Sequence, residues 1–583
     1  MIHNINYKKT KLTDLGDISH CNINNYGVKD LQQYNPIYSV FFNLHENNYN
    51  NIQLNHKYHI VNHNQILNTE TNCIETSDVF IKYSPLLDPI RYMIGKYDET
   101  NCKIKDLPTI LSTTEICDEK LINYNNASYV DNFFNFLSSI LLNNHQFSNG
   151  IDYYGSFLGI HEGFKMNIDD DIEYLSGSNY FLQNIGKLMT IENFTIDDSV
   201  CNLSRNNKNR LLIQEDTSLS DIVEPEEIII SKSNLIDNDE KLSLMEMVIE
   251  DSTTLPESVF KLHNSSSNSS KSSNSNNSKT VSSDDEDNND EDEDNDEDED
   301  EDNDEDNDED NDEDDENNNV CDEEDEDEVI AYIHNFPVQL ICLEKCQGTM
   351  DDLFIDNIIT SKNGIAFLLQ IVMTLIGYQK VYNFTHNDLH TNNIMYNITT
   401  IKFLYYKYNH IIYKVPTYGY IFKIIDFGRS IYKYKGKTFC SDSFAPDGDG
   451  NTQYNCEPFY DETVKRLEPN FSFDLCRLSC SMYDFILDNK TDDTRIDMFQ
   501  SIIKEWVTDD SGRNVLYKKN GSERYPGFKL YKMISRTVGP GSVIWSSTFS
   551  TGVKWYALDD GVMGGKSKIL IRESIIIVLN NYI

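Results

Sequence analysis

The chain has 583 residues, of which 39% are hydrophobic, so its length and composition allow at least one sizeable core. Its net charge is −48, but 34 acidic residues lie between Asp284 and Glu328 without any Lys or Arg, and the rest carries only −14. A general basic surface is therefore missing from the sequence, and direct binding of nucleic acid is not expected.

The sequence also predicts no membrane partner. It shows no signal peptide, and its apolar runs fall short of the roughly 20 residues that a membrane-spanning helix needs. The 12 Cys are scattered, and the two C-x3-C pairs, Cys342/Cys346 and Cys476/Cys480, lie in apolar segments, where Cys is usually a small core side chain. We therefore predict an intracellular protein.

Seven apolar segments predict the main elements in chain order. The predicted strands lie at 78–84, 152–160, 337–345 and 420–428, and the predicted helices at 129–145, 364–382 and 472–487. Strands dominate the first part and helices the second. This order favours an α+β fold with two lobes.

A long polar segment interrupts these elements. Residues 265–319 are rich in Ser and Asn and then in Asp, Glu and Asn. Such a segment buries little apolar surface and its charges repel, so we expect it to be disordered and extended. With its polar flanks it defines one insertion over 165–330, between the two middle predicted strands. The acidic tract is either a solvating spacer or a binding surface for basic proteins.

Two polar motifs follow apolar elements in the second half of the chain. The sequence "HNDLHTNN" (386–393) comes after the helix at 364–382, and Asp426 begins "DFG" at the end of the strand at 420–428. Phosphoryl transfer from MgATP needs such a set, because one carboxylate orients the acceptor hydroxyl while a second carboxylate and an amide oxygen hold Mg²⁺. Gly428 is expected to let the backbone bend sharply after Asp426.

These motifs resemble the H-R-D-L-x-x-x-N loop and the D-F-G motif of the protein kinase family. The resemblance implies that Asp388 is the catalytic base and that Asn393 and Asp426 are Mg²⁺ ligands. It also implies that His386 and Phe427 are spine residues. The cofactors would be ATP and Mg²⁺.

Three further segments resemble kinase elements. "VFIK" is similar to V-A-I-K and nominates Lys82 for the α- and β-phosphates of ATP. "VQLICLEKCQGTMDDLF" (338–354) resembles the strand, hinge and helix that bind adenine. "SFDLCRLS" resembles the helix whose Asp, here Asp474, braces the catalytic loop. The hinge residues implied by the resemblance are Leu343, Glu344 and Cys346.

The chain departs from the kinase pattern before the insertion. No Gly lies between Gly27 and Gly95, so the Gly-rich phosphate loop is missing and the backbone amides of 61–72 are left to cover the phosphates. The helix at 129–145 has no Glu that could pair with Lys82. Asp131 is its only acidic residue and is the candidate partner.

The catalytic loop departs from the pattern as well. Asn387 replaces the Arg of H-R-D, which argues against a switch that grips a phosphorylated activation loop. His390 stands where serine/threonine kinases place Lys, and the pattern H-x-D-L-H-x-x-N is similar to loops in haspin-like kinases and in small-molecule phosphotransferases of the aminoglycoside and choline type. His390 either contacts a phosphate in a pH-dependent way or only orders the loop. The long spacing from Asn393 to Asp426 predicts an extra β-hairpin.

The expected organisation is a two-lobed protein-kinase-like fold with a long disordered acidic insertion in the N-lobe. The predicted parts are an N-terminal segment (1–30), the N-lobe (31–164), the insertion (165–330), the fifth strand and hinge (331–346), the C-lobe (347–537) and a tail (538–583). The tail motif "DDGVMGG" weakly resembles the start of a CIA30-type β-sandwich.

The composition, rich in Asn, Ile, Tyr and Lys, is typical of an AT-rich genome. Together with the segments "FGRSIYKYKGKTFCSDSFAPDGDG" and "EPNFSFDLCRLSCSMYDFI", it makes the chain resemble serine/threonine kinases of mimivirus-type giant viruses. This resemblance implies an ATP- and Mg²⁺-dependent protein kinase in the host cytoplasm or the virion, acting on a protein substrate. Two alternatives stay open from the sequence. One is a pseudokinase or scaffold, and the other is a phosphotransferase for small molecules.

Overall fold

The computed structural model describes residues 5–9, 27–97, 104–193, 328–408, 411–487 and 496–539. The predicted disorder of the acidic tract and the resemblance of the tail beyond Gly539 lie outside the described residues. Within them the chain is α+β, as the sequence predicts.

The strands and helices are numbered in chain order. The strands are β1 (Tyr7–Lys9), β2 (Val28–Gln32), β3 (Ile52–Leu54), β4 (Tyr58–Asn62), β5 (Gln65–Asn68), β6 (Cys73–Thr76), β7 (Val79–Pro85), β8 (Tyr153–Asn167), β9 (Met189–Glu192), β10 (Ile330–Glu344), β11 (Gly348–Thr349), β12 (Ile394–Ile398), β13 (Phe403–Tyr408), β14 (Ile411–Pro416), β15 (Tyr420–Ile424), β16 (Ile431–Tyr434) and β17 (Lys437–Cys440). The helices are α1 (Pro89–Met93), α2 (Glu119–Ile122), α3 (Ala127–His145), α4 (Ile172–Ser176), α5 (Asn179–Asn184), α6 (Met350–Ile355), α7 (Gly364–Tyr382), α8 (Ser472–Ile486), α9 (Met498–Trp506) and α10 (Lys529–Thr537).

The central sheet has the strand order β2-β8-β10-β7, and β9 also pairs with β10. Strands β8 and β10 run antiparallel from the pair Ile330–Asn167 to the pair Leu343–Tyr153. Each has 15 residues, against nine in the prediction. The two predicted strands that flank the insertion are therefore sheet neighbours, as expected.

The predicted start of the insertion at 165 is wrong. Residues 165–193 are folded, because β8 continues to Asn167 and α4, α5 and β9 follow it. Leu175, Phe181 and Met189 are fully buried against the sheet. These helices have only five and six residues, too few for the sequence to show a clear helical period.

The chain leaves and re-enters this folded unit at adjacent points. The side-chain amide of Asn193 donates to the carbonyl of Glu328 at 2.9 Å, and the amide of Ile168 donates to the carbonyl of Val329 at 3.0 Å. The described residues on either side of 194–327 are therefore hydrogen-bonded neighbours beside β8 and β10.

The predicted N-terminal boundary is also shifted. β1 pairs with β3, and β2 joins the central sheet by pairing with β8, so part of 1–30 belongs to the folded unit. The segment of β1 alternates little in hydrophobicity, and its three residues are all exposed. A strand of this kind is held by backbone pairing, which a hydrophobic pattern does not reveal.

The main core lies between α3 and α7, which have the predicted helical character. Phe134 of α3 packs against Tyr378 and Tyr382 of α7 at ring-centroid distances of 5.0 and 5.6 Å. Among the described residues, α7 is the one helix long and apolar enough to cross a membrane, but 83% of its apolar window is buried inside the protein.

The predicted extra hairpin is present. β12 pairs antiparallel with β15, and β13 and β14 form a separate two-stranded sheet between them. The hairpin therefore lengthens the connection between the two polar motifs. It leaves β15, which ends two residues before Asp426, hydrogen-bonded beside β12.

Candidate functional site

Lys82 joins three distant parts of the chain. It lies on β7 opposite Ile341 of β10, and its Nζ is 2.8 Å from Oδ2 of Asp131 and 2.8 Å from Oδ1 of Asp426. The predicted pairing with Asp131 is thus present. The candidate ATP lysine and the candidate metal ligand come together although they are 344 residues apart.

Burial and the charges of the neighbouring groups set the pKa values of Lys82, Asp131 and Asp426. Burial opposes the charge on Lys82, but Asp131 and Asp426 raise its pKa above the usual value, so it is a cation. Burial raises the pKa of Asp131 despite the attraction of Lys82. Burial also acts against ionisation of Asp426, but Lys82 outweighs it and the pKa of Asp426 is lowered. Asp426 is therefore the anionic carboxylate of the cluster that is open to a ligand, with its side chain 46% exposed.

Asp131 also positions the motif that carries Asp426. Its Oδ1 accepts from the backbone amide of Phe427 at 2.9 Å and from the side chain of Asn135 at 2.9 Å. The start of α3 is held by Asp442, whose Oδ1 accepts from the amide of Ala127 at 2.9 Å. A helix N-terminus favours such an anion. Helix α3 is therefore held at its start by Asp442 and, through Asp131, by the amide of Phe427.

The loop 386–393 is braced by Asp474, as predicted. The buried carboxylate of Asp474 accepts from the backbone amides of His386 at 2.9 Å and Asn387 at 2.8 Å. The Nε2 of His386 lies 2.9 Å from the carbonyl of Ile425, one residue before Asp426. This bond connects the two polar motifs directly.

The side chain of Asn387 makes hydrogen bonds that an Arg at this position could not make. It is fully buried and has a φ of 64°, a left-handed conformation that Asn tolerates better than most residues. Its Nδ2 donates to the carbonyl of Arg429, and its Oδ1 accepts from the hydroxyl of Tyr454, each at 2.9 Å. Both ends of the amide are therefore used to tie the loop to the following segment.

Asp388 and Asn393 lie at the two ends of the turn. The Nδ2 of Asn393 donates to the carbonyl of Asp388 at 2.9 Å and lies 3.1 Å from Nε2 of His390. Burial lowers the pKa of His390, so the ring is neutral near pH 7 and can accept this bond. The geometry favours the alternative in which His390 orders the loop.

The sequence predicted that the backbone bends at Gly428, and this position is wrong. Asp426 itself has a φ of 61°, whereas Gly428 is not among the glycines with a positive φ. A Cβ at Gly428 would meet Oδ1 of Asp426 at an ordinary 3.5 Å. The turn is made at Asp426, where the contacts of its carboxylate with Lys82 offset the backbone strain.

Phe427, the predicted spine residue, lies in the core beside α3. It is fully buried, and its ring lies 4.6 Å from Phe134 of α3 and 5.8 Å from His386, measured between centroids. These contacts stack the loop, the "DFG" segment and α3 on one another. A displacement of any of them would therefore disturb the others.

The predicted hinge residues have separate surroundings. Leu343 is buried, and burial together with Glu344 raises the pKa of Cys346 to about 12, so this thiol is neutral. The Oε1 of Glu344 pairs with Lys423 Nζ at 2.5 Å, and its Oε2 accepts from Asn397 at 2.7 Å. The carboxylate of Glu344 therefore holds β10 to β12 and β15, and its backbone amide donates to the carbonyl of Asp152 at 3.0 Å.

We expect the stability of the protein to depend on pH through Asp152, which lies beside Glu344. Burial and the neighbouring Glu344 raise the pKa of Asp152 to about 6. This pKa exceeds the unfolded value of about 3.9, so protonated Asp152 stabilises the fold. The stabilisation is complete below about pH 4 and is lost as the pH rises through 6. It amounts to at most about 3 kcal/mol. Urea titrations between pH 4 and 7 should show this slope in the wild type and lack it in Asp152→Asn. Equal slopes in both proteins would contradict the prediction.

The segment expected to cover the phosphates is already engaged elsewhere. The amides of Glu70 and Thr71 donate to Oδ1 of Asn68, the amide of Asn64 to Oδ1 of Asn62, and the amide of Thr69 to a backbone carbonyl. The rest of 61–72 lies mainly in β4 and β5, which pair with each other. The expectation that these amides form a phosphate loop is not supported by their geometry.

Two residues of the site had no signal in the sequence. The hydroxyl of Tyr531 on α10 donates to Oδ1 of Asp388 at 2.7 Å, and Asp442 pairs with Lys120 at 2.8 Å while capping α3. Tyr531 is one of 35 Tyr and lies outside both polar motifs. Only the folded backbone brings these side chains to the site.

Comparison with known proteins identifies no family. No protein-family model matches the chain. Over 144 residues it is 34% identical to "Uncharacterized protein 098R" of Invertebrate iridescent virus 6, and this alignment covers 24% of the chain and 21% of the viral protein. The chain thus spans about a fifth of that relative's length.

Proposed function

We propose that the chain is an ATP- and Mg²⁺-dependent protein serine/threonine kinase with a two-lobed kinase-like fold. The observation that carries the proposal is the contact of Lys82 with both Asp131 and Asp426, next to a loop that Asp474 braces. Lysine in this position is a cation that can contact phosphate oxygens. The same contacts position the motif of Asp426 beside the loop of Asp388.

Three residues of the chain would have separate roles in phosphoryl transfer. Asp388 would accept the proton of an acceptor hydroxyl, because its carboxylate already receives a hydroxyl hydrogen bond at 2.7 Å. Lys82 would offset negative charge on the nucleotide phosphates. Asp474, through the backbone of the loop, would keep Asp388 in place.

The residues also fit a Mg²⁺ ion of the kind such a reaction uses. Asp426 offers an exposed anionic carboxylate, and the amide nitrogen of Asn393 is turned toward Asp388, which leaves its amide oxygen for a cation. A bound Mg²⁺ would neutralise charge on the phosphates. Within the described residues there is no cluster of three or more His, Cys, Asp or Glu for a metal, so most ligands of this ion would be phosphate and water oxygens.

The pseudokinase alternative has one specific observation in its favour. The amides of 61–72 are used within their own sheet and turns, so this segment offers no loop that wraps the phosphates. A chain of this kind could bind a nucleotide or a partner without transferring phosphate. A small-molecule phosphotransferase would differ from the protein kinase in transferring phosphate to a small hydroxyl compound, and from the pseudokinase in transferring phosphate at all.

The experiment is phosphoryl transfer by the purified full-length chain from γ-labelled MgATP. Three acceptor sets should be compared: Ser/Thr-containing basic proteins, Ser/Thr-containing acidic proteins, and small hydroxyl compounds such as aminoglycosides and choline. We expect label in a protein acceptor on Ser or Thr. Label only in the small compounds would support the second alternative, and a thermal shift with MgATP but no transfer would support the pseudokinase.

A further inference from the structure

The hydroxyl of Tyr531 occupies the place beside Asp388 that a phosphoryl acceptor must take. It donates to Oδ1 of Asp388 at 2.7 Å, within the range that proton transfer to a general base requires. Burial raises the pKa of Tyr531, although Arg477 acts against this rise, so the hydroxyl keeps its proton at neutral pH. A protonated hydroxyl on a carboxylate is the arrangement from which the transfer proceeds.

Tyr531 is held there by its surroundings. The guanidinium carbons of Arg477 and Arg429 lie 5.0 and 5.4 Å from the centre of its ring, and the ring stacks on Phe528 at 5.4 Å. Farther along α10, the hydroxyl of the buried Ser535 donates to the carbonyl of Gln453 at 3.0 Å. The helix is therefore anchored, and Tyr531 is pre-positioned rather than freely rotating.

The same surroundings suit a phosphorylated tyrosine. Nε and Nη2 of Arg429 and Nε of Arg477 are buried and have no hydrogen-bond partner among the described residues. A phosphate on Tyr531 would carry close to two negative charges and offer three acceptor oxygens. Guanidinium groups pair with such oxygens through strong, charge-assisted hydrogen bonds. Arg477 already hydrogen-bonds the hydroxyl of Tyr531, so its guanidinium can reach a phosphate at that position.

We propose that Tyr531 is an intramolecular phosphoryl acceptor of this chain, an inference that rests on the proposed kinase function. In this step Oη of Tyr531 forms a bond to the γ-phosphorus of ATP, and the bond from that phosphorus to the β–γ bridging oxygen breaks. ADP leaves with the electron pair of the broken bond, and Asp388 takes the phenolic proton. The position of Tyr531 on α10, and not a general preference for tyrosine, selects it.

The test is site mapping by mass spectrometry after phosphatase-treated full-length chain is incubated with MgATP and no other acceptor. We expect phosphate on Tyr531 at close to one per chain, with a first-order rate that does not change over a tenfold range of chain concentration. Tyr531→Phe should remove this phosphate, and Asp388→Asn should slow its formation by about 100-fold or more. Tyr517→Phe is the matched control, because its hydroxyl also donates to a carboxylate, that of Asp484 at 2.8 Å, and it should leave the labelling of Tyr531 intact.

A nucleotide-free measurement tests the placement of the hydroxyl separately. Acetylation by N-acetylimidazole should modify Tyr531 at least tenfold more slowly than Tyr174, whose side chain is 62% exposed. Equal rates would overturn the placement of Tyr531 on Asp388.

The outcomes separate this inference from the proposed function. If an external Ser/Thr acceptor is phosphorylated while Tyr531 stays unmodified, the inference is wrong and the kinase function stands. If no acceptor and no residue of the chain receives phosphate, both are wrong. A rate proportional to chain concentration would assign the modification to a second molecule and overturn the intramolecular step.

Discussion

Lys82→Met is expected to destabilise the protein by about 3 to 5 kcal/mol and to lower phosphoryl transfer by about 100-fold or more. Asp131 has a side chain that is 1% exposed, and Lys82 is the cation beside it. Removal of Lys82 leaves that carboxylate buried and uncompensated. Urea unfolding and the labelled-ATP assay measure the two effects.

A double variant separates the structural role of Lys82 from the catalytic one. Asp131→Asn removes the buried charge, and its side-chain oxygen can still accept from the amide of Phe427. Lys82→Met with Asp131→Asn should therefore recover most of the lost stability but none of the transfer. Lys57→Met is the matched control, since Lys57 pairs with the 70% exposed Glu70 at 3.8 Å and should cost less than about 1 kcal/mol. Recovery of transfer in the double variant would argue against a role of Lys82 on the nucleotide.

Asp474→Ala is expected to cost about 2 to 5 kcal/mol of stability. Asp474 is fully buried, and its loss leaves the amides of His386 and Asn387 without their acceptor. Because these amides belong to the loop of Asp388, transfer should fall together with the stability. Asp474→Asn keeps one acceptor oxygen and should lie between the wild type and the Ala variant.

The control for Asp474 lies on the same helix. Asp484 of α8 is exposed and accepts from the hydroxyl of Tyr517. Asp484→Ala should cost at most about 1 kcal/mol and leave transfer unchanged. An equal loss in Asp474→Ala and Asp484→Ala would show that Asp474 does not brace the loop.

The sequence predicted the long helices well because their hydrophobic patterns are strong. The bounds of α7 agree with the prediction at both ends, and α3 begins only two residues earlier than predicted. The short α4 and α5 were missed, because one or two helical turns carry too few apolar positions to show a period. Strand β10 extends well before the predicted start, since pairing with β8 continues past Pro337.

The site was predictable where residues belong to short motifs and not where tertiary contacts decide. Asp388 and Asp426 were nominated from their two motifs, Lys82 from the similarity of "VFIK" to a kinase segment, and Asp131 because it is the one acid of its helix. The left-handed turn falls on Asp426 itself because the ion pair with Lys82 holds it there. The contact of Tyr531 with the carboxylate of Asp388 depends on the docking of α10, which no local pattern records.

The most direct test of the kinase proposal compares the wild type with Asp388→Asn under equal occupancy by MgATP. Nucleotide binding is first matched by calorimetry, and transfer of the labelled γ-phosphoryl group to a Ser/Thr acceptor is then followed. We predict measurable transfer by the wild type and a rate about 10² to 10⁴ times lower for Asp388→Asn at unchanged MgATP affinity. No transfer by the nucleotide-bound wild type, or equal transfer by both proteins, would contradict the proposal.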